Sequence, residues 1–195
     1  IILQQHQNKS YPMPLPERKY PRARFHNYNG GEYFVTVCTH NKKHYFGSIH
    51  GNKMILSKIG IILYDTIQAV PRHFNDVEIP LFVVMPNHFH AIVCIYGEKA
   101  ESSNCNHGSL AELAKMAIKN GDDPDETAHH NSRLATVVGC IKANVTRRGR
   151  DINPAFMWQS RFHDHIIRGT HDGNKIAEYI ETNVARWAVD CFHQD

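Results

Sequence analysis

The sequence predicts an α+β fold in which helices pack on an antiparallel sheet, and two kinds of pattern carry that prediction. Residues 32–39 alternate in polarity as a strand does, and residues 77–84 and 88–95 supply two further apolar strands. Apolar residues at helical spacing run through 59–70 and 134–145. The glycine-rich turn of a dinucleotide-binding fold is missing from the sequence. Strands and helices in this order favour a sandwich with the helices on one face of the sheet.

Local signals place the ends of these elements. Ser57 can cap the first helix, which the spacing carries up to Pro71, and Ser132 starts the second helix. A strand-like segment at 156–168 and a helix at 172–187 are predicted to close the chain.

Composition indicates one globular domain with an arm. The chain has 195 residues and a net charge of only +3, so charge alone does not indicate a nucleic-acid-binding protein. Residues 1–21 are polar and proline-rich and are predicted to form an N-terminal arm. Residues 22–195 are predicted to form a single domain, with a surface insertion around 97–130.

The cysteines and the hydropathy predict a cytoplasmic protein. The five cysteines form no Cys-x-x-Cys pair, and several of them lie in apolar patterns typical of reduced core thiols. No apolar run is long enough to span a membrane, which excludes a transmembrane class.

The strongest chemical signal lies in residues 83–93 (VVMPNHFHAIV), interpreted as a buried strand interrupted at Pro86 and resumed at His88. Side chains alternate along a strand, so His88 and His90 share one face, about 7 Å apart, and can bind one metal ion. The alternative is two half-exposed strand histidines, because a chain with 15 histidines contains some His-x-His pairs by chance. Burying two imidazoles in so apolar a run would be costly unless their ring nitrogens had binding partners, which favours the metal site.

Residues 85–90 (MPNHFH) resemble the His-hydrophobe-His signature of the HUH single-strand DNA transposases, and are most similar to the REP-associated tyrosine transposases and their IS200-like relatives. Other stretches of the sequence agree with this family in the same order, and the resemblance covers about residues 22–187. The stretches that agree with the family are residues 31–39, 158–168, 179–183 and 186–187.

The resemblance implies a ferredoxin-like sandwich, usually a homodimer, that acts on single-stranded or hairpin DNA. In the family a divalent ion, generally Mg or Mn, polarises the scissile phosphate, and a helix tyrosine attacks to form a phosphotyrosine link. Imidazole ligands would also suit Zn or Ni.

Two histidines hold an ion loosely, so a third ligand is expected from elsewhere in the chain. His165 is the first candidate, because the family tends to carry histidine at this position of its Trp-Gln…His-Ile-Ile motif. Glu78, Gln159 and Asp164 are weaker alternatives.

The nucleophile departs from the family pattern. The helix at 141–147 resembles the segment where relatives place their tyrosine, near Ile141 or Asn144, and neither residue can form a phosphotyrosine. Tyr179 on the last helix is the tentative substitute, although its apolar stripe equally indicates core packing. Tyr96 follows the histidine strand and is expected to point away from the ion.

Basic side chains are predicted to contact DNA phosphates, since lysine and arginine neutralise the backbone. They are Arg22, Arg24, Lys142, Arg147, Arg148 and Arg161.

Three functions therefore stay open from the sequence. The first is a metal-dependent HUH nuclease or transposase. The second is a domesticated binding module that lacks cleavage because the helix tyrosine is absent. The third is a metal-dependent hydrolase that uses the same histidine pair on another substrate.

Overall fold

The computed structural model of the protein describes residues 26, 28–97 and 132–193. The predicted arm at 1–21 and almost all of the predicted insertion at 97–130 lie outside these residues. The described strands are β1 (Gly31–Cys38), β2 (Gly47–His50), β3 (Lys53–Leu56), β4 (Val77–Val84), β5 (His88–Ile95) and β6 (His163–Ile166). The described α-helices are α1 (Lys58–His73), α2 (Arg133–Arg150) and α3 (Thr170–Thr182).

Four strands form one sheet in the order β4-β5-β1-β6, and every neighbouring pair is antiparallel. Strands β2 and β3 form a separate two-stranded ribbon between β1 and α1. The order of the sheet and of its helices is that of a ferredoxin-like sandwich, and the predicted α+β class is confirmed.

The two faces of the sheet have different neighbours. Phe89, Ala91 and Val93 on β5 enter the main core with the apolar stripes of α1 and α2. The alternate residues of β5 face the other way, where Ile92 packs near Ile180 of α3. The sequence predicted helices on one face only, and α3 departs from this, because an apolar stripe does not specify which face of a sheet it covers.

The stretch around Pro86 is a turn between two strands, which corrects its interpretation as one interrupted strand. Val84 pairs with Phe89, and the backbone N–H of Met85 donates to the carbonyl of His88 at 2.9 Å. Pro86 fits here because it has no N–H to leave unpaired. His88 is therefore the first residue of β5. In the strand order of the sheet, β4 is an edge strand.

The predicted helix starts are observed. The Ser57 hydroxyl accepts a hydrogen bond from the N–H of Gly60 at 3.0 Å, and the Ser132 hydroxyl accepts one from Ala135 at 3.3 Å. Such caps satisfy N–H groups that the helix cannot pair internally. Helix α1 continues two residues past Pro71, to His73.

The elements that close the chain are shorter than predicted. The strand expected over 156–168 is reduced to β6, preceded by an isolated bridge between Trp158 and Thr39. The helix expected over 172–187 is α3, which begins at Thr170 and ends at Thr182. None of the helices within the described ranges is long and apolar enough to cross a membrane.

Two helical glycines differ in the space around them and give a test of the packing. A Cβ on Gly60 of α1 would lie 2.0 Å from the carbonyl oxygen of Phe46, whereas one on Gly139 of α2 would meet nothing within 4 Å. We expect Gly60→Ala to lower the free energy of unfolding by about 3 kcal/mol or more, since backbone must move. Gly139→Ala, the matched control, should raise it by about 0.5–1 kcal/mol. Urea unfolding measures both, and a neutral Gly60→Ala would contradict the close packing of α1 on this loop.

Candidate metal centre and tyrosine site

The histidine pair lies at the start of β5, on the sheet face that α3 covers. His88 and His90 point to this face because side chains alternate along the strand, while Phe89 between them enters the core. Both imidazoles are buried, with exposed fractions of 0% and 1%. The alternative of two half-exposed strand histidines therefore does not apply.

The two rings converge on one point. Nε2 of His88 lies 3.0 Å from Nε2 of His90. Two nitrogens bound to one ion at about 2.1 Å lie about 3.0 Å apart at a right angle and about 3.4 Å apart at a tetrahedral angle. The distance fits two ligands of a single ion, and it equally fits a hydrogen bond between the two rings.

The other nitrogen of each ring has a buried partner. Nδ1 of His88 lies 2.7 Å from Oδ1 of Asn87, and Nδ1 of His90 lies 2.8 Å from the hydroxyl oxygen of Thr36. Metal-binding histidines commonly use their second nitrogen in this way, which fixes the orientation of the ring.

Burial keeps both rings neutral. Desolvation lowers the pKa of His90 to about 3, and desolvation together with the neighbouring His90 and Lys42 lowers the pKa of His88 to about 2. Aromatic side chains of the C-terminal segment contribute to the cover, with the Phe192 ring centred 4.6 Å from that of His88. Neutral imidazoles are the form that binds a metal ion.

Asp190 joins the histidine pair in a cluster of three side chains that could hold a metal ion. One side-chain atom each from His88, His90 and Asp190 lies within 4.8 Å of the other two. The backbone N–H of Phe192 donates to Oδ1 of Asp190 at 2.6 Å, which orients the carboxylate. Two imidazoles and one carboxylate suit a divalent transition metal such as Mn²⁺ or Zn²⁺. Sequence reasoning missed Asp190, since no motif surrounds it and only the fold of the C-terminal segment brings it to β5.

Tyr179 lies beside the same nitrogen. Its hydroxyl oxygen is 3.3 Å from Nε2 of His90, and the two ring centroids are 5.2 Å apart. Burial is the largest cause of the raised pKa of Tyr179, and the carboxylate of Asp190 adds to it. The tentative nucleophile of the sequence prediction is thus adjacent to the histidine pair, half-buried on α3.

The helix expected to carry the nucleophile lies elsewhere. Ile141 belongs to α2 and is buried in the main core, on the face of the sheet opposite the histidine pair. Asn144 is one helical turn further along α2, beside a groove of about 270 Å³ between α1 and α2. A tyrosine at either position of α2 would be separated from His88 and His90 by the sheet. The expectation that places the nucleophile there is therefore corrected.

His165, the predicted third ligand, is not brought to the pair. It lies on β6, and β1 separates β6 from β5 in the sheet. Its Nε2 is instead 2.9 Å from a carboxylate oxygen of Asp172 at the start of α3. His163 pairs with Thr36 on β1, and Thr36 pairs with His90, so His163 lies level with His90 but two strands away in the sheet.

Two of the weaker candidates for the third ligand, Glu78 and Asp164, also lie outside the cluster of His88, His90 and Asp190. The carboxylate of Glu78 accepts a hydrogen bond from the hydroxyl of Tyr96 at 2.8 Å. The side chain of Asp164 alternates with those of His163 and His165, so it points to the opposite face of β6. The third weaker candidate, Gln159, belongs to the loop before β6, and its backbone carbonyl accepts a hydrogen bond from the ammonium of Lys142.

The predicted DNA-contacting residues divide into three groups. Arg147 and Arg148 are exposed in the last turns of α2, and Arg161 is exposed before β6. Lys142 donates to the carbonyls of Gln159 and Ser160, and burial lowers its pKa to about 8. Arg22 and Arg24 lie outside the described residues.

The fold and the site define an α+β sandwich whose sheet carries two buried histidines, grouped with a half-buried carboxylate beside a tyrosine. No family model matches the chain. It is 29% identical over 187 residues to an uncharacterized protein from Haemophilus influenzae, a match that covers 95% of this chain and 98% of that one.

The chain is also similar to two solved structures. The first is a REP-associated tyrosine transposase bound to a REP hairpin, with 22% identity, a TM-score of 0.47 and coverage of 83% of this chain and 71% of the other. The second is a structure from Deinococcus radiodurans R1 described as a putative transposase, with 14% identity, a TM-score of 0.40 and coverage of 78% and 90%.

Proposed function

We propose that the chain is an HUH-type single-stranded DNA nuclease of the transposase kind, in which Tyr179 is the covalent nucleophile. His88, His90 and Asp190 would hold the divalent ion. One observation supports this more than any other: the hydroxyl oxygen of Tyr179 lies 3.3 Å from the same His90 nitrogen that faces His88 at 3.0 Å. The proposed nucleophile and two of the proposed metal ligands thus converge on one point. The motif at residues 85–90, which resembles the HUH signature, supports the same assignment.

The chemistry assigned to Tyr179 is the transfer of a phosphoryl group to its phenol oxygen. The oxygen attacks the phosphorus of a DNA phosphodiester, so that an O–P bond to Tyr179 forms and the P–O bond to one nucleoside oxygen breaks. The phenol loses its proton to water, and the leaving oxygen takes up a proton and departs as an alcohol. A divalent ion supplies Lewis-acid stabilisation of the phosphate charge when bound.

The non-cleaving alternative has less support. It depended on the absence of a tyrosine from the helix at 141–147, and that helix belongs to α2 on the other face of the sheet. With Tyr179 as the proposed nucleophile, cleavage does not require a tyrosine in α2.

The proposed partner is hairpin-bearing single-stranded DNA, with the protein as a homodimer. Both are carried over from the family that the motif resembles. The exposed guanidinium groups of Arg147, Arg148 and Arg161 are proposed phosphate contacts.

The direct test is incubation of the full chain with hairpin-flanked single-stranded DNA labelled in turn at each end, with Mn²⁺ or Mg²⁺. We expect a protein–DNA adduct that survives denaturing electrophoresis and is absent when EDTA is added. Release of two labelled fragments without any adduct would instead indicate direct hydrolysis. Hairpin binding with neither cleavage nor adduct would favour the domesticated binding module.

A further inference from the structure

Asn87 has only one orientation that satisfies its hydrogen bonds. Its side chain is fully buried, and its amide nitrogen lies 3.0 Å from the carbonyl of Lys42 and 2.8 Å from the carbonyl of Phe192. Carbonyls only accept hydrogen bonds, so the NH₂ group must face them. Oδ1 of Asn87 therefore faces Nδ1 of His88 as an acceptor, and the hydrogen of the neutral His88 ring must be on Nδ1.

The position of that hydrogen determines the state of His90. Since His88 carries its hydrogen on Nδ1, its Nε2 is bare. The 3.0 Å contact between the two Nε2 atoms then needs a hydrogen from Nε2 of His90. Nδ1 of His90 is consequently bare in the metal-free protein, and it accepts a hydrogen bond from the Thr36 hydroxyl at 2.8 Å. Both rings are almost fully enclosed, with exposed fractions of 0% and 1%, where a charged ring would be costly, so each carries a single hydrogen.

An ion bound to both Nε2 atoms requires a different arrangement at His90. A ring nitrogen that binds a metal carries no hydrogen, so neutral His90 would carry its hydrogen on Nδ1 instead. The Nε2 hydrogen would pass to water and one would be taken up at Nδ1, so the ring would stay neutral. The partner of Nδ1 would then have to change from donor to acceptor. A hydroxyl can do both by rotating about its C–O bond.

We infer that Asn87 and Thr36 are positioning residues for the metal centre: Asn87 holds His88 in the Nδ1–H tautomer, and Thr36 lets His90 change tautomer when an ion binds. The inference rests on the proposed metal site and names the residues that make it competent. Neither residue would touch the ion or the DNA phosphate.

The substitutions at Thr36 separate the hydroxyl from the shape of the side chain. Thr36→Val keeps the volume and removes the hydroxyl, and Thr36→Ser keeps the hydroxyl. Thr66→Val is the matched control, because Thr66 is a buried threonine on α1 whose hydroxyl bonds only within the helix, to the carbonyl of Ile62. For Asn87, replacement by Asp retains an acceptor for His88 and loses both donors, whereas replacement by Leu loses all three hydrogen bonds.

Two measurements test the inference on the full chain. Calorimetric titration with Zn²⁺ should show a loss of affinity of about 10–100-fold for Thr36→Val and for Asn87→Leu, as expected when a partner of a ligating histidine is removed. Thr36→Ser and Thr66→Val should bind within about threefold of wild type, a difference of well under 1 kcal/mol. Asn87→Asp should bind more tightly than Asn87→Leu.

Nitrogen-15 spectra of the histidine rings give a readout that a purely structural role would not change. In the metal-free wild type we expect His88 as the Nδ1–H tautomer and His90 as the Nε2–H tautomer. With Zn²⁺, His90 should become the Nδ1–H tautomer.

The outcomes separate this inference from the function it rests on. Wild-type zinc binding together with an unaffected Thr36→Val would overturn the role of Thr36 and leave the metal site intact. His90 observed as the Nδ1–H tautomer before zinc is added would overturn the switch in the same way. No zinc binding by wild type would refute the metal site itself, and the inference with it.

Discussion

Tyr179→Phe is expected to abolish the covalent protein–DNA adduct and to leave hairpin binding nearly unchanged. The substitution removes one oxygen atom, the one that lies 3.3 Å from Nε2 of His90, and keeps the ring that packs against Phe34 and His90. Phenylalanine has no atom that can form a bond to phosphorus, so the rate of adduct formation should fall by about 10³-fold or more. Denaturing gels measure the adduct, and a gel-shift titration measures binding.

Tyr96→Phe is the matched control for this prediction. Tyr96 is 59% exposed, follows β5 directly and hydrogen-bonds to Glu78, away from the histidine pair. Its loss should leave adduct formation within about twofold of wild type, since exposed substitutions away from a site have small effects. An adduct that forms normally in Tyr179→Phe would show that another residue is the nucleophile, and peptide mapping of the adduct would identify it.

The second large effect concerns acid stability in the absence of divalent ions. The folded-state pKa values of His88 and His90 are lowered from 6.5 to about 2 and about 3 by burial. Below pH 6.5 the unfolded chain therefore binds protons that the folded chain does not, and stability decreases as the pH falls towards the folded-state values. Each histidine should lower the free energy of unfolding by up to about 1.4 kcal/mol per pH unit in this window.

A variant in which both histidines are asparagine should lose this dependence. Urea unfolding of wild type and of His88→Asn/His90→Asn, in EDTA between pH 7 and pH 4.5, measures the difference. EDTA matters because an ion bound only to the folded state would add stability of its own. The free energy of unfolding of the variant should depend less on pH than that of wild type. The dependence that remains in the variant should come from the carboxylates. Parallel profiles for the two proteins would mean that the imidazoles are accessible to protons in the folded state.

Local patterns specified local geometry well. The period of two along β5 placed His88 and His90 on one face, and the serines before α1 and α2 were recognisable as helix caps because capping is a contact within three residues. The apolar stripes also identified α1 and α2, whose buried residues repeat at helical spacing.

Relations between distant elements were not available from the sequence. His165 shares the sheet face of the histidine pair, but the strand order puts β1 between β6 and β5, and only hydrogen bonding across the sheet determines that order. Asp190 lies about 100 residues from His90 and reaches it through the turns after α3. The resemblance of residues 141–147 to the segment where relatives place their tyrosine gave no information on the side of the sheet that the helix covers, and α2 lies on the face opposite the histidine pair.

The alternation of β5 constrains how this protein can evolve. His88 and His90 lie on the face of the strand that carries the candidate site, followed on that face by Ile92 and Cys94, which pack near Ile180. The odd-numbered residues enter the main core, so a shift of register would move both sets at once. Inserting or deleting one residue within the strand would exchange the two sets and place the imidazoles among the apolar side chains of α1 and α2. Every residue of β5 is buried, so we expect a change in its length to be poorly tolerated, whereas the tip of the β2–β3 ribbon at Gly51 and Asn52 is exposed and can accommodate one.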